Sequence, residues 1–104
     1  MALTTGYRAL IASPTNDGQV KGAVPVAGAV DFNPAEIDFF KVEYRPANGD
    51  WITIGNVQRA SKSGTLETWH TEALAPGTYQ LRLVLVKKDG NFIVPSQVTV
   101  RVEQ

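Results

Sequence analysis

The clearest strand signal lies in residues 74–87, Leu-Ala-Pro-Gly-Thr-Tyr-Gln-Leu-Arg-Leu-Val-Leu-Val-Lys. After the Pro-Gly pair, the odd-numbered positions carry large apolar side chains: Tyr79, Leu81, Leu83 and Leu85. Successive side chains of a β-strand point to opposite faces of the sheet, so this alternation predicts a strand over 78–87 with one buried face. The even-numbered positions mix polar and apolar residues, and we expect this second face to be partly covered: Gln80, Arg82, Val84 and Val86.

Six further segments are rich in Val, Ile, Thr and aromatic residues and are separated by Gly, Pro, Asn and Asp, as short strands require. We predict these strands at residues 7–13, 19–30, 38–45, 51–57, 65–69 and 92–103. Gly22 and Gly28 predict a bend or bulge within the second of them. Asp89-Gly90 predicts a hairpin turn before the last strand, because both residues tolerate positive φ. Pro95 interrupts the start of that strand, which favours an edge position or a bulge.

Seven short strands with regular turn signals predict an all-β sandwich of two antiparallel sheets. The 104 residues suffice for one domain, which we assign to residues 7–104. We expect residues 1–6 to be a disordered or expression-derived N-terminus. The predicted core takes its side chains from both sheets: Leu10, Val24, Val26, Phe40, Val42, Tyr44, Ile54, Leu66, Trp69, Leu74, Tyr79, Leu81, Leu83, Val98 and Val100.

Charge and composition exclude several classes of function. Ten basic residues balance ten acidic ones, so the chain lacks the broad positive field of a nucleic-acid binder. No apolar run reaches the length of a transmembrane helix, and we predict no membrane insertion. The absence of cysteine excludes disulfides, thiolate metal sites and cysteine nucleophiles, and a single histidine excludes a multi-histidine metal site.

The turn and strand formed by Leu74, Pro76-Gly77 and Tyr79 resemble the signature of bacterial immunoglobulin-like and fibronectin type III-like domains. Further segments fit the same pattern: Ser13-Pro14, Val42-Glu43-Tyr44, Trp51 and Gly64-Thr65-Leu66 before Trp69. The resemblance implies an Ig-like sandwich of about seven strands with a structural tyrosine corner at Tyr79 and Leu74. His70 departs from the pattern, in which an aspartate usually follows the tryptophan.

Modules of this kind are appended to bacterial cell-envelope proteins, including some penicillin-binding proteins and secreted hydrolases. The resemblance therefore implies a non-catalytic accessory module of a larger extracellular or cell-envelope protein, without a cofactor. It would serve as a spacer or docking domain for neighbouring domains of the parent protein or for another envelope protein. The alternative is a module that binds cell-wall polysaccharide with exposed aromatic rings.

The residues themselves offer no catalytic constellation. His70 is the one candidate imidazole base, and no Gly-x-Ser-x-Gly elbow occurs in the chain. We expect His70 to be a surface residue at a strand end. Glycoside hydrolysis needs two carboxylates across a cleft, which a sandwich with short loops does not provide. We therefore predict that the chain is not an enzyme.

An interaction surface is predicted at Phe39 and Trp51. Phe39 lies on the polar side of the 38–45 strand, and Trp51 begins the next strand. Exposed together, they would form an apolar patch of the kind that marks interfaces. The rings of Trp69 and Tyr44 fall at core positions, whereas Phe92 is available for a surface role.

A calcium site is the last candidate. In this type of sandwich, two loops at one end would bring Asp31 and Asp38 near Asp89 and Asn91. Their oxygen atoms suit Ca²⁺, but the spacing matches no known calcium loop. We favour the alternative that these residues are turn formers, and we predict no metal.

Overall fold

A computed structural model describes residues 7–104 of the chain. The N-terminal segment that we assigned to residues 1–6 lies outside this range. The described residues form eight strands and one short 3₁₀ turn: β1 (Tyr7–Ser13), β2 (Gly18–Val20), β3 (Ala23–Phe32), β4 (Ile37–Pro46), β5 (Ile52–Gln58), β6 (Lys62–His70), η1 (Thr71–Ala73), β7 (Gly77–Lys87) and β8 (Phe92–Val102). Within residues 7–104, no helix has the length and apolar content needed to cross a membrane.

The strands form two sheets, and the predicted all-β, Ig-like or fibronectin III-like sandwich is confirmed. One sheet has three strands in the order β1-β3-β6, and the other has five in the order β2-β8-β7-β4-β5. Neighbouring strands are antiparallel except β2, which runs parallel to β8. The inner faces of the sheets enclose one core.

The segment predicted as one strand over 19–30 divides into β2 and β3, and the break falls at Gly22, one of the two glycines that predicted a bend or bulge. Gly22 lies between them with φ +72°, a conformation that glycine adopts without a Cβ clash. Its carbonyl oxygen accepts hydrogen bonds from both the amide and the hydroxyl of Thr71, at 2.9 and 2.8 Å. This bend sends β2 to the five-stranded sheet and β3 to the three-stranded one.

The core follows the predicted alternation, except that the wrong face of β1 was assigned to the core. Leu10 is 44% exposed, whereas its neighbour Ile11 is 8% exposed and packs in the core. Ile11 pairs with Gly28, and the register of β1 shifts just beyond it. Both residues are apolar, so the sequence did not distinguish the two faces of this edge strand, and a change of one position reverses every side chain. Leu85 lies on the predicted inward face of its strand, and four further core residues were absent from the prediction: Ile11, Val30, Phe32 and Ile37.

An aromatic cluster joins the two sheets at one end of the core. The ring centroid of Trp69 lies 5.2 Å from that of Tyr44 and 6.0 Å from that of Tyr79. The hydroxyl of Tyr79 donates to the carbonyl oxygen of Ala75 at 2.8 Å, the hydrogen bond of a tyrosine corner. Half-buried Leu74 packs beside this corner against the core. Burial of each such large side chain stabilises the fold by about 1.5–3 kcal/mol.

A β-bulge changes the register between β7 and the first part of β8. Leu83 pairs with Ser96 and Leu85 pairs with Ile93, so β8 carries one extra residue at Val94-Pro95. This position agrees with the interruption that Pro95 predicts, since proline cannot donate to a sheet ladder. Ser96 also accepts a hydrogen bond from the amide of Ile11 at 3.0 Å, which links the two sheets at their edge.

Candidate functional site

The outer face of the five-stranded sheet contains a shallow depression of about 270 Å³, which we call the sheet patch. Seven residues line it: Phe39, Lys41, Arg82, Val84, Val86, Gly90 and Phe92. One row across β4, β7 and β8 aligns Phe39, Val86 and Phe92. The next rows pair Lys41 with Val84 and Glu43 with Arg82. Strand register thus brings together residues that are far apart in the chain.

The sheet patch has a buried floor and an exposed apolar wall. Val84 points away from the core-lining Leu83 and Leu85, yet it is only 1% exposed. Phe92 at the edge of the depression is 57% exposed. An aromatic ring that is left in water beside a covered apolar floor is typical of a binding surface.

A buried carboxylate lies beside the depression. Glu43 is 5% exposed although it occupies the outer face of the sheet. The Nε of Arg82 donates to its Oε1 at 2.8 Å, Nη2 of Arg82 lies 2.7 Å from the same oxygen, and Nζ of Lys41 lies 3.1 Å from Oε2. A buried charge is costly unless it is paired, and here two cations share one carboxylate.

Arginine side chains cover the aromatic rings of this face. The guanidinium carbon of Arg82 lies 4.0 Å from the centroid of Trp51 and 5.7 Å from that of Phe92. Arg45 lies 4.5 Å from the Trp51 centroid, and its Nε donates to Oε1 of Gln80 at 2.7 Å. These cation–π contacts, together with Glu43, fix the direction of the Arg82 side chain.

The structure places the two predicted interaction residues on this same outer face, but apart from each other. Phe39 pairs with Val86, whereas Trp51 lies six rows along β4, next to Arg45. Arg82 reaches both parts of this face, because its guanidinium contacts Trp51 and also lines the depression beside Phe39. Both rings are half-buried, and Arg59 lies over Phe39 at 5.3 Å from its centroid.

The sequence analysis did not predict that four further residues lie on one surface with Phe39: Arg82, Val84, Val86 and Phe92. The usable signal was the pair of valines at the even positions of β7, which indicates a second apolar area on that strand. Their neighbours Phe39 and Phe92 could be assigned only from the register of β4 and β8.

The residues of the predicted calcium loops are bound to protein groups. Oδ1 of Asp31 accepts from the hydroxyl of Ser61 at 3.2 Å. Oδ1 of Asp38 lies 2.8 Å from Nη1 of Arg59 and 3.6 Å from Nζ of Lys88. In the described part of the chain, no group of three or more His, Cys, Asp or Glu side chains could hold a metal ion. The calcium site therefore stays the alternative that the sequence analysis did not favour.

Asp89 and Asn91 share the hairpin turn before β8. The amide of Asn91 donates to Oδ1 of Asp89 at 2.9 Å, and this hydrogen bond lowers the pKa of the Asp89 carboxyl below its ordinary value. The contact is that of an Asx turn, in which the side chain closes the loop.

His70 is exposed at the end of β6, and its Nδ1 lies 3.1 Å from Oε1 of Glu72. Ser61 and Ser96 bond instead to Asp31 and to the amide of Ile11. These contacts assemble no nucleophile, base and orienting acid of the kind found in a catalytic triad.

Comparison with known proteins places the chain by its fold. No protein-family model and no curated protein matches it. The structure is similar to fibronectin(III)-like modules of CbhA from Clostridium thermocellum, with a TM-score of 0.54 and 13% identity over 93% of this chain and 98% of that one. It is also similar to CopC from Methylosinus trichosporium OB3b, with a TM-score of 0.51 and 15% identity over 92% and 94% of the two chains. At these identities, the likeness establishes a fibronectin III-like sandwich.

Proposed function

We propose that the chain is a non-catalytic accessory module of a larger bacterial extracellular or cell-envelope protein, and that it docks a protein partner on the sheet patch. Its likeness to fibronectin(III)-like modules of CbhA supports the modular role. The partner is a neighbouring domain of the parent protein or a second envelope protein.

The shape of the sandwich supports a spacing role. The molecule measures 47 × 24 × 21 Å. Tyr7 pairs with Phe32 at one end of the three-stranded sheet. Val102 pairs with Gly77 in the five-stranded sheet, at the opposite end of the sandwich, and there the side-chain amide of Gln104 donates to the carbonyl oxygens of Thr71 and Leu74. A chain that enters at one end and leaves at the other holds its neighbours apart by the long axis of the domain.

The observation that carries the docking role is the sheet patch itself. It combines the exposed ring of Phe92 and the buried floor of Val84 with the fixed guanidinium of Arg82. Aromatic residues and arginine are enriched in protein interfaces, where they provide most of the binding energy.

A protein partner suits this surface better than a glycan does. Stacking on a sugar needs an open ring face, but two guanidinium groups lie within 4.5 Å of the Trp51 centroid. Phe92 is the exposed ring of the patch, and one ring gives a sugar chain little to stack on. Polysaccharide binding is therefore the second candidate.

The test is selection of peptides from a random library displayed on phage, with the immobilised chain as target. We expect selected peptides to bind the Phe92→Ala variant about tenfold more weakly, since central aromatic anchors dominate such interfaces. Leu10→Ala is the matched control, because Leu10 is an exposed apolar residue of the other sheet, and it should leave binding unchanged.

Co-sedimentation with insoluble peptidoglycan, cellulose and chitin decides between the two candidates. Sedimentation that Trp51→Ala or Phe92→Ala abolishes would replace the docking proposal with polysaccharide binding. Selected peptides that bind wild type and Phe92→Ala equally well would remove the sheet patch as the docking surface.

A further inference from the structure

Resting on this proposed function, we infer that the partner presents an acidic segment with apolar side chains, which lies across the sheet patch. Its carboxylates meet Arg82, Lys41 and Arg45, and an apolar side chain enters the depression between Phe39 and Phe92. This goes beyond the docking role by fixing the chemistry of the partner.

The charge of this face is the first argument. The outward positions of β4 and β7 carry three cations, Lys41, Arg45 and Arg82, against one carboxylate, Glu43. Glu43 is buried beneath its partners, whereas the side chains of Lys41 and Arg82 keep 27% and 17% of their surface in solvent. The face therefore presents positive charge although the whole chain has a net charge of zero.

The second argument is that Arg82 is already positioned. Its Nε and Nη2 contact Glu43, and its guanidinium lies over Trp51. Nη1 is the nitrogen left to donate to a ligand carboxylate. Because the side chain is held before binding, little rotamer freedom is lost when a partner arrives.

The size of the depression is the third argument. At about 270 Å³ it is a shallow hollow rather than a deep pocket that would enclose a whole small molecule. Its apolar lining by Phe39, Val84, Val86 and Phe92 suits one side chain of a macromolecule. An acidic segment with an apolar residue between its carboxylates fits both the lining and the charge.

The neighbouring sheet edge does not offer an equivalent site. Along β5, Val42 pairs with Ile54 and Phe40 with Gln58, so two extra residues interrupt the ladder. Gly55 in this bulge has φ +67°. Such a bulge blocks the addition of another strand, and recognition falls to side chains on the sheet face.

The probes are three synthetic hexapeptides, blocked at both ends, in which leucine alternates with glutamate, glutamine or lysine. Binding to the ¹⁵N-labelled chain is followed by NMR at about 20 mM and about 500 mM NaCl. We expect the glutamate peptide to bind about fivefold or more tightly than the glutamine peptide at low salt, and the lysine peptide to bind most weakly. The advantage of glutamate should fall below about twofold at high salt, because exposed charges are then screened.

Variants locate the effect. Lys41→Gln and Arg45→Gln should each weaken the glutamate peptide about threefold more than they weaken the glutamine peptide, because each removes one positive charge while Arg82 stays paired with Glu43. Arg8→Gln removes the same charge from the three-stranded sheet and should change neither.

Equal affinity for the glutamate and glutamine peptides would overturn the acidic partner but leave protein docking in place, provided that Phe92→Ala weakens both. A glutamate preference that survives both Lys41→Gln and Arg45→Gln would also overturn it. If no peptide depends on Phe92, the proposed function fails as well.

Discussion

The two outer faces of this sandwich use opposite kinds of residue. The five-stranded sheet displays aromatic rings, valines and cations around a buried carboxylate. The three-stranded sheet displays small or polar side chains apart from Leu10, and its depression, at about 380 Å³, is the larger of the two. The chemistry of the lining, rather than the size of the hollow, therefore supports the proposed docking role of the five-stranded sheet; we call the three-stranded sheet the plain sheet.

One pair of residues on each face makes the contrast sharper. Arg8 and Asp31 are register partners on β1 and β3, as Arg82 and Glu43 are on β7 and β4. Asp31 is exposed and bonds to Ser61, whereas Glu43 is buried under Arg82 and Lys41. Arginine and carboxylate are thus register partners on both faces, but only the buried Glu43 is held in an ion pair by its arginine, which also lies over Trp51.

The largest change in stability is expected at Gly28 in the three-stranded sheet. Here the backbones of β1 and β3 approach so closely that no side chain fits between them. A Cβ at this position would lie 2.1 Å from the carbonyl oxygen of Leu10. Gly28→Ala should therefore lower the free energy of unfolding by about 2–3 kcal/mol, because β1 and β3 must move apart. Urea denaturation of the purified variant measures this loss.

Gly64→Ala is the matched control on the same sheet. Its Cβ would meet nothing within 4 Å, so its cost is the backbone strain at φ +92°, about 1 kcal/mol. If Gly28→Ala loses no more than Gly64→Ala, close approach of the strands does not explain the small residues of this face.

The two faces also show which features of the fold and of the sheet patch can be predicted from the sequence. Alternation in residues 78–87 predicted β7 and the sandwich, because burial of one face imposes a period of two. Leu10 was assigned to the wrong face since the next residue is also apolar. The sheet patch joins residues of β4, β7 and β8, and no local pattern contains the register that aligns Phe39 with Phe92. The outward direction of Phe39 follows from its position in β4, whereas its neighbours on the sheet depend on the same register.

A smaller loss of stability is expected when the buried ion pair between Arg82 and Glu43 is broken. Arg82→Met leaves Lys41 as the remaining partner of buried Glu43 and removes the cation–π contact with Trp51. The free energy of unfolding should fall by about 2 kcal/mol. Arg8→Met on the plain sheet should cost about 0.5 kcal/mol or less.

The double variant Glu43→Gln/Arg82→Met separates pairing from packing. Because it removes the buried charge of Glu43 together with its arginine partner, it should be more stable than Arg82→Met alone. Equal losses in the single and double variants would mean that Arg82 acts through its contacts with the rings. That result would mean that burial of the Arg82–Glu43 ion pair does not explain the difference in stability between the two faces.

The smallest effect is a pH dependence confined to one end of the five-stranded sheet. The Asn91 amide donates to the Asp89 carboxylate and holds the pKa of Asp89 below its ordinary value. A depressed folded pKa means that the hydrogen bond stabilises the turn above about pH 4 and is lost as pH falls through the lower, folded value. In an NMR titration, the amides of Asn91 and Phe92 should shift together with the Asp89 carboxyl.

Two controls test this assignment. The amide of Thr65, on the other sheet, should not follow the titration, and in Asp89→Asn the acid shift of the Phe92 amide should vanish. A Phe92 shift that persists in Asp89→Asn would assign the acid response to another group and would detach this turn from the sheet patch that it borders.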